Sequence, residues 1–417
     1  MPRAANPCRQ QSLAFGYATL TTGVLSLALI ANLVPLMTLP ATLPQIMAAW
    51  DLNSNQAGWI GGVYFAGYAV AVPFLASATD HVDGAWLLTG SALLGAVTSL
   101  AFGFWAEGFI PALSLRFLGG IAIAGVHMPG LKMLTDRTSG SAQARGSAIY
   151  TSCYAAGNGL SFLIAGIIST RFGWRAAFIV GGVGPLLSIL LIWLLPPVAT
   201  RQREPGKPTF EMRSLLRNRE LVAYIVAFAG NTWEVFSIRV WFVACLGWSL
   251  SLPGNALSLP ALGVVAGTAA LAGVPASIVV AEVATRLGRR RTIVYTCIGS
   301  VMVCLALAAT SGGPIRIVLP LLILLQITSF ADVGALAGGV VAAANPTRRG
   351  AALALYAVAG FAAGFLGPVL VGNALEVFGG IRSGTGWSAG FLVIALGSSV
   401  AAAATRYGRG GATGPGD

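Results

Sequence analysis

Two short stretches of this sequence repeat each other half a chain apart. Gly-Trp-Arg-Ala-Ala-Phe occupies residues 173–178, and Gly-Trp-Ser-Ala-Gly-Phe occupies residues 386–391. Each stretch opens a long apolar segment, and five further apolar segments and one polar connector lie between them. The shared G-W-x-x-x-F pattern at equivalent places predicts that the chain consists of two related halves.

The apolar segments are long enough to be membrane helices. A spanning helix needs about 20 mainly apolar residues, within a usual range of roughly 17–25. Twelve segments meet this criterion, at residues 14–38, 56–79, 84–105, 108–132, 146–169, 174–195, 221–249, 257–284, 292–311, 315–342, 350–376 and 386–405. The sequence therefore predicts an all-α membrane protein whose twelve transmembrane helices form two pseudo-symmetric six-helix bundles.

A polar stretch separates the sixth segment from the seventh and carries six of the 25 basic residues. It divides the predicted helices into six and six. We therefore expect an N-terminal bundle at residues 1–195, a basic connector at 196–220, a C-terminal bundle at 221–405 and a flexible tail at 406–417.

The composition excludes a water-soluble protein. Hydrophobic residues make up 56% of the chain and charged residues 9%, whereas soluble proteins carry about 45–50% and about 25%. No P-loop, H-E-x-x-H or G-x-S-x-G sequence occurs, so neither ATP hydrolysis nor these enzyme classes are indicated. With two histidines and no C-x-x-C pair among five cysteines, we predict no metal, no cofactor and no enzymatic activity.

The net charge of +12 is explained by membrane orientation rather than by nucleic acid, because the basic residues flank the apolar segments. Cytoplasmic loops of membrane proteins are enriched in Lys and Arg. With the N-terminus inside, 19 basic residues fall on the cytoplasmic side and four on the other. We therefore expect both termini in the cytoplasm and a multi-pass protein of a bacterial inner membrane, with the lipid bilayer as its surroundings.

Over essentially its whole length the chain resembles the major facilitator superfamily. The resemblance rests on the division into six and six helices, the basic connector, the repeat at residues 173–178, and Arg116-Phe117-Leu118-Gly119-Gly120, which is similar to the family's R-x-x-x-G signature in the fourth helix. It implies a secondary transporter of small molecules that works by rocking of the two halves. It also implies a role in proton handling for Arg116.

The family's loop motif, G-x-x-x-D-R-x-G-R-R, occurs in two incomplete copies. The first keeps Asp80 but lacks most of its basic residues, and the second has Thr285 at the acidic position. In the family this motif clamps the ends of helices in one conformation. By this resemblance we expect Asp80 to pair with the loop of Arg137 and Arg145. The gate candidates of the second copy are Arg286, Gly288, Arg289 and Arg290.

The seventh segment carries the densest group of candidate site residues. A charge at the centre of a bilayer costs at least about 2.5–3.5 kcal/mol, so an ionisable residue there is a functional candidate. Glu234 lies near mid-depth, and Arg239 follows at about 140° around the helix. Asn231, Glu234 and Trp241 share one face, which we expect to line a cavity, and Trp233 is a further aromatic candidate.

For Glu234 two interpretations stay open. A desolvated carboxyl group favours its protonated form, which suits a group that loads and releases a proton during transport. Alternatively, Glu234 forms a fixed ion pair with Arg239 or Arg116 that only locks helix packing.

Three further residues are candidates, each with a structural alternative. Asp332 is the second buried acid, or a polar staple at a glycine-rich contact. Arg116 handles protons, or is a charge held near the outer membrane face. His127 is a proton relay, since histidine titrates near neutral pH, or a hydrogen-bonded structural residue beside Pro129.

These observations predict a monomeric secondary transporter that exports a small organic compound in exchange for protons. Uptake of a small solute with protons is the alternative, and in that case Arg239 would attract an organic anion. A sensor or scaffold that does not transport is a remote alternative. The sequence does not identify the solute, because fold alone does not define function.

Overall fold

The structure, a computed structural model, describes residues 7–79, 81–196, 212–255, 257–345 and 348–407. All regular structure in these ranges is helical. The helices are α1 (Pro7–Leu33), α2 (Thr38–Trp50), α3 (Ser54–Ala78), α4 (Gly84–Trp105), α5 (Phe109–Arg137), α6 (Gly140–Trp193), α7 (Met212–Arg217), α8 (Arg219–Ser251), α9 (Leu262–Leu287), α10 (Arg289–Thr310), α11 (Ile315–Ala331), α12 (Val333–Ala343), α13 (Arg349–Val377) and α14 (Gly384–Tyr407).

The described helices make twelve membrane crossings. Eleven apolar regions are long enough to span a bilayer, and the longest, Gly140–Trp193, contains 54 residues. A straight helix of that length would measure about 80 Å, far more than the ~30 Å hydrocarbon core. It is broken at Gly173, whose φ of 81° and ψ of 169° are not helical. The two limbs of α6 are therefore the fifth and sixth crossings, and the predicted number of helices is confirmed.

The first crossing is longer than the sequence predicted. The predicted segment ended at residue 38, whereas the apolar helical region runs over Gly16–Trp50 and comprises α1, a turn at residues 34–37, and α2. Pro40 lies in the first turn of α2, where a backbone N–H has no partner within the helix, so proline is tolerated there. Leu39 and Pro40 therefore lie at the start of α2 and do not end the first crossing.

The helices assemble into two bundles, and the predicted fold class is confirmed. In the first bundle α1 packs on α6, α3 on α5, and α4 on both α5 and α6; in the second, α8 packs on α13 and α14, and α10 on α14. The bundles contact each other through α3 with α13, α6 with α9, and α2 with α8. The limits of the connector and tail stay predictions, since residues 197–211 and 408–417 lie outside the described ranges.

Two close approaches between the bundles occur at pairs of glycines. A Cβ atom on Gly263 would lie 2.7 Å from Cα of Gly166, and one on Gly372 would lie 3.1 Å from Cα of Gly58. Small residues allow membrane helices to approach this closely. Both pairs lie toward one end of the molecule. The start of α1 and the end of α14 lie at the opposite end. We call the end with the glycine pairs the far end and the other the termini end.

The repeated G-W-x-x-x-F stretches occupy equivalent places in the two bundles. The Trp174 ring lies 5.2 Å from that of Trp50, at the end of the first crossing. The Trp387 ring lies 6.2 Å from that of Trp241 and 6.1 Å from that of Trp248, in the last part of the seventh crossing. Each copy therefore anchors the sixth helix of its bundle to the first helix of the same bundle at the far end.

Gly173→Ala should destabilise the protein. Gly173 has a positive φ, which costs an L-residue roughly 1–2 kcal/mol, although no atom within 4 Å would contact the added Cβ. Gly23→Ala is the matched control, since Gly23 lies within α1 and also has no neighbour within 4 Å of a Cβ. Thermal unfolding in detergent should show a lower midpoint for Gly173→Ala only. Equal midpoints for the two variants would contradict a backbone constraint at Gly173.

Candidate functional site

Glu234 is buried inside the C-terminal bundle. Its two carboxylate oxygens accept hydrogen bonds from the Ser300 hydroxyl on α10 and the Ser398 hydroxyl on α14. The Ser300 hydroxyl also lies 3.2 Å from Oγ1 of Thr328 on α11. Only 1% of Glu234 is exposed. Within the described residues no ion pair includes Glu234, so the alternative of a fixed pair with an arginine is wrong.

Asp332 lies one helical turn away, at the interruption between α11 and α12. Its Oδ1 accepts a hydrogen bond of 2.7 Å from Nδ2 of Asn231, and its Oδ2 accepts one of 3.6 Å from the Cys297 thiol. The Asn231 amide also donates to the Ser329 carbonyl at 2.7 Å, which anchors the end of α11. Asp332 is 2% exposed. Its partners lie on α8 and α10, so it joins three crossings.

Glu234 and Asp332 with their partners form one polar layer in the core of the C-terminal bundle. Asn231 and Glu234 are three residues apart on α8, as are Cys297 and Ser300 on α10. We call the set Asn231, Glu234, Cys297, Ser300, Asp332 and Ser398 the acidic layer. All its members belong to one bundle, so the layer lies beside, rather than in, the boundary between the bundles.

Arg239 extends from α8 in the other direction, toward the N-terminal bundle. Its Nη1 donates to Oδ1 of Asn158 on α6 at 3.2 Å, a hydrogen bond that crosses the boundary between the bundles. Its guanidinium carbon lies 5.1 Å from the centre of the Phe330 ring and 6.0 Å from that of Phe236. The side chain is 4% exposed, and in the described part of the chain Asn158 is its one hydrogen-bond partner.

Aromatic rings from both bundles meet beside Arg239. Phe65 on α3 stacks on Phe236 with ring centres 3.8 Å apart, and Tyr68 stacks on Phe361 of α13 at the same distance. Each pair joins one bundle to the other. Together with Arg239 and Asn158, these rings form the central boundary site.

His127 lies next to this site in the N-terminal bundle. Its Nδ1 is 3.3 Å from the Tyr68 hydroxyl, and its ring stacks on Tyr154 at 4.3 Å. The Tyr150 hydroxyl donates to the His127 carbonyl at 3.1 Å. The imidazole therefore contacts Tyr68, which also stacks on Phe361 across the boundary. The role of His127 as a proton relay stays a prediction.

Arg116 lies in the core of the N-terminal bundle. Its guanidinium donates to the carbonyls of Pro35 and Leu36, at 3.5 and 3.3 Å, in the turn between α1 and α2. The guanidinium carbon also lies 4.3 Å from the centre of the Tyr64 ring. Arg116 is 4% exposed, and its depth in the membrane and its role in proton handling stay predictions.

The two tryptophan candidates are packing residues of the C-terminal bundle. Nε1 of Trp233 donates to the Val393 carbonyl at 2.9 Å, and Nε1 of Trp241 donates to the Pro368 carbonyl at 3.1 Å. The predicted face of Asn231, Glu234 and Trp241 exists, but it packs on α10, α11, α13 and α14. The expectation that this face lines a cavity is wrong because α8 is enclosed by its own bundle on that side.

The gate candidates form short contacts at the termini end. Arg286 pairs with Glu282 at 3.1 Å, and Arg290 pairs with Glu220 at 2.8 Å, which joins α10 to α8. Gly288 has a φ of 87° in the turn before α10, a conformation that favours glycine. Exposed ion pairs of this kind contribute about 0–1 kcal/mol each.

The remaining gate candidates bind backbone atoms or lie outside the described residues. Arg137 donates to the carbonyls of Met133 and Pro196, and Arg145 donates to the Ser141 carbonyl. The guanidinium of Arg289 lies beside Gly338. Asp80 lies outside the described residues, so its pairing stays a prediction.

Sequence reasoning missed several residues that the structure places at these sites. Asn158 lies between two glycines in an apolar segment, and Ser300 and Ser398 lie in apolar segments of their own. Serines are common in membrane helices, where their hydroxyls bind the backbone. The sequence therefore does not indicate that Ser300 and Ser398 bind a carboxylate. Only the polarity of Asn158 in a membrane helix could have singled it out.

Many secondary membrane transporters are built from two helical bundles with polar residues buried at the boundary between them. The model of the Major Facilitator Superfamily matches residues 25–368. The chain belongs to this superfamily, whose members are transporters of small solutes rather than enzymes. Its apolar helices, which are long enough to cross a bilayer, make it a multi-pass membrane protein.

Relatives and a solved structure agree with this assignment. The chain is 23% identical over 286 residues to the cis,cis-muconate transport protein of Acinetobacter baylyi, covering 66% of this chain and 68% of that one. It is 27% identical over 178 residues to the 4-hydroxybenzoate transporter PcaK of the same organism, covering 42% and 38%. The chain spans 47% of the length of the mammalian relatives it matches.

The fold is also similar to the crystal structure of a bacterial homolog of the human lysosomal transporter Spinster, described as inward-facing and occupied. The TM-score is 0.78 at 16% identity, and the match covers 94% of this chain and 97% of the other. This similarity concerns the fold alone.

Trp241→Phe should lower stability without changing solute affinity. The substitution removes the buried hydrogen bond from the indole N–H to the Pro368 carbonyl, and such a bond contributes about 0.5–1.5 kcal/mol. Trp105→Phe is the control, because Trp105 is 75% exposed and should show no change. Unfolding midpoints and a binding isotherm for any transported solute provide the measurement. A large loss of solute affinity in Trp241→Phe, with the unfolding midpoint unchanged, would instead show that Trp241 contacts the solute.

Proposed function

We propose that the protein transports a small organic anion, coupled to protons, and that Arg239 binds the carboxylate of that anion at the boundary between the bundles. The observation that carries the proposal is the position of Arg239. It is a buried cation at the boundary, it comes from one bundle, and its one partner in the described chain is the Asn158 amide of the other bundle.

The chemistry of the guanidinium supports a carboxylate ligand. Arginine has five N–H donors in a planar fork that matches a carboxylate in two parallel hydrogen bonds. Asn158 uses one of these donors and is neutral, so it does not compensate the charge. A buried charge without a counter-ion is costly. An anionic solute would provide both the counter-charge and the missing acceptors.

The aromatic rings support a flat, unsaturated solute. Phe236 and Phe330 lie beside the guanidinium, and Phe65 stacks on Phe236. The faces of these rings offer apolar contact to a planar molecule. The two relatives described above are named for cis,cis-muconate and 4-hydroxybenzoate. Both named compounds carry carboxylate groups on a conjugated carbon framework, which is the chemistry that this site would bind.

The acidic layer supports proton coupling. Glu234 and Asp332 are buried carboxyl groups whose hydrogen-bond partners in the described chain are neutral. Entry of an anion against a membrane potential of 100 mV costs about 2.3 kcal/mol per charge, and a co-transported proton removes that cost. Glu234 and Arg239 lie five residues apart on α8, so this helix links the acidic layer to the central boundary site.

Direction and placement complete the proposal. Anion binding at Arg239 favours proton-coupled uptake, while export of a small organic compound stays the second candidate from the sequence. We also propose that the protein is a monomer in a bacterial inner membrane. The distribution of basic residues indicates that both termini lie in the cytoplasm. Flux of labelled solute in right-side-out and inverted vesicles distinguishes the two directions.

Arg239→Gln should weaken the binding of organic anions. Loss of a charge-assisted, two-bond contact corresponds to about 1.5–3 kcal/mol, or about 10–150-fold weaker binding. The measurement is binding of cis,cis-muconate and 4-hydroxybenzoate to the purified protein, with 4-hydroxybenzamide as the uncharged probe. The control variant is Arg175→Gln, whose arginine is exposed and pairs with Glu107 at 3.6 Å. If Arg239→Gln binds both acids as the wild type does, the proposal is wrong.

Glu234→Gln should uncouple transport from the pH gradient. Glutamine keeps the shape of the side chain but carries no titratable proton, whereas a gradient of one pH unit drives up to about tenfold accumulation per coupled proton. In proteoliposomes, gradient-driven accumulation of the labelled acid should be lost while solute exchange persists. Glu282→Gln, at an exposed ion pair, should behave as the wild type. Full accumulation in Glu234→Gln would assign the coupling to another residue.

A further inference from the structure

The N-terminal bundle contains a small pocket beside Arg116, separate from the central boundary site. Asn32 and Pro35 line it from the first crossing, Tyr64 from α3, Thr98 and Ser99 from α4, and Arg116 from α5. Every helix that contributes belongs to the N-terminal bundle. Rocking of the two bundles therefore does not open this pocket in the way that it opens the boundary between them.

The charge of Arg116 has no counter-ion in the described part of the chain. Its partners are two backbone carbonyls, at 3.5 and 3.3 Å, and the face of the Tyr64 ring. The Nε atom is buried and has no hydrogen-bond partner there. Buried charges in proteins are normally paired, so this residue, 4% exposed, is an exception that requires a cause.

The other polar groups of the pocket do not neutralise this charge. The Ser99 hydroxyl donates to the Phe178 carbonyl at 2.7 Å, and the Thr98 hydroxyl donates to the Leu94 carbonyl at 2.9 Å. The Asn32 amide donates to the Ser188 hydroxyl at 2.6 Å. All of these side chains are neutral. The pocket therefore combines one positive charge with a mainly apolar lining and a few neutral polar groups, and no acid lines it.

We propose that this pocket binds a small inorganic anion, of which chloride is the representative, as a resident ion next to Arg116. The guanidinium lines the pocket and would donate to the ion, and the ion would supply the missing counter-charge. A resident role follows from the location within one bundle, since a transported solute needs access from alternate sides of the membrane.

The bound anion would stabilise the interruption of the first crossing. Val34 and Met37 in this turn are held by the Ser161 hydroxyl, which donates to the Val34 carbonyl at 2.6 Å and accepts from the Met37 N–H at 2.9 Å. Arg116 holds the next two carbonyls, those of Pro35 and Leu36. An anion that neutralises the Arg116 charge would stabilise the guanidinium in its contact with these carbonyls. It would thereby stabilise the turn between α1 and α2.

The test compares the thermal stability of the purified, full-length protein in sodium chloride and in sodium gluconate at equal ionic strength. A ligand that binds the native state raises stability by mass action, and tenfold excess over the dissociation constant raises the midpoint of a protein of this size by about 2 °C. We expect a saturable rise with chloride, also with bromide, and none with gluconate.

Two variants assign the effect to the pocket. Arg116→Met should lose the chloride-dependent rise, whereas Arg239→Met, which removes the other buried arginine, should retain it. The same rise in Arg116→Met, or no difference between chloride and gluconate in the wild type, would overturn the proposal.

If Arg116→Met does not fold, crystals of the wild type grown in bromide provide the second measurement. An anomalous peak within hydrogen-bond distance of the Arg116 guanidinium is expected, and its absence from the pocket with bromide bound elsewhere would show an adventitious ion only. Because neither readout depends on transport, a failure here leaves the function assigned to Arg239 unaffected. Conversely, a transport-dead Arg239→Gln does not alter the chloride result.

Discussion

A membrane bundle provides no water to a buried polar group, and this constraint determines where the polar side chains of the protein lie. The turn between α1 and α2 shows it directly. The helical hydrogen-bond ladder stops there, so the Val34 and Leu36 carbonyls and the Met37 N–H must find partners elsewhere. Ser161 from α6 and Arg116 from α5 provide them. The interruption is thus held in place by two neighbouring helices, and without them the exposed backbone groups would be costly.

The same constraint gives α8 its two functional sides. Glu234 faces the interior of its own bundle, where serine hydroxyls from α10 and α14 satisfy it. Arg239 faces the other bundle and bonds to Asn158. Protonation of Glu234 therefore acts on the same helix as binding of a solute at Arg239. This arrangement is the structural basis on which we propose that a proton and an organic anion move together.

The two bundles differ in the charge that they bury. The core of the N-terminal bundle contains an arginine, and the core of the C-terminal bundle contains two carboxyl groups, each with neutral partners in the described residues. Although the backbones of the bundles repeat each other, as Trp174 and Trp387 show at the far end, the polar cores do not. We infer that one core holds an anion and the other carries protons.

The sequence by itself determined the membrane class, the number of crossings, the division into two halves and the residues worth testing. These depend on segment length, composition and spacing, which are local properties. The break at Gly173 was predicted at the start of the sixth segment, while the length of the first crossing was not, because a proline in the first turn of a helix resembles one that ends a helix. Tertiary structure alone decided the direction in which each side chain points. Glu234 and Arg239 are both charged residues of one apolar segment, and only the packing of α10, α14 and α6 around α8 separates a core carboxyl group from a boundary arginine.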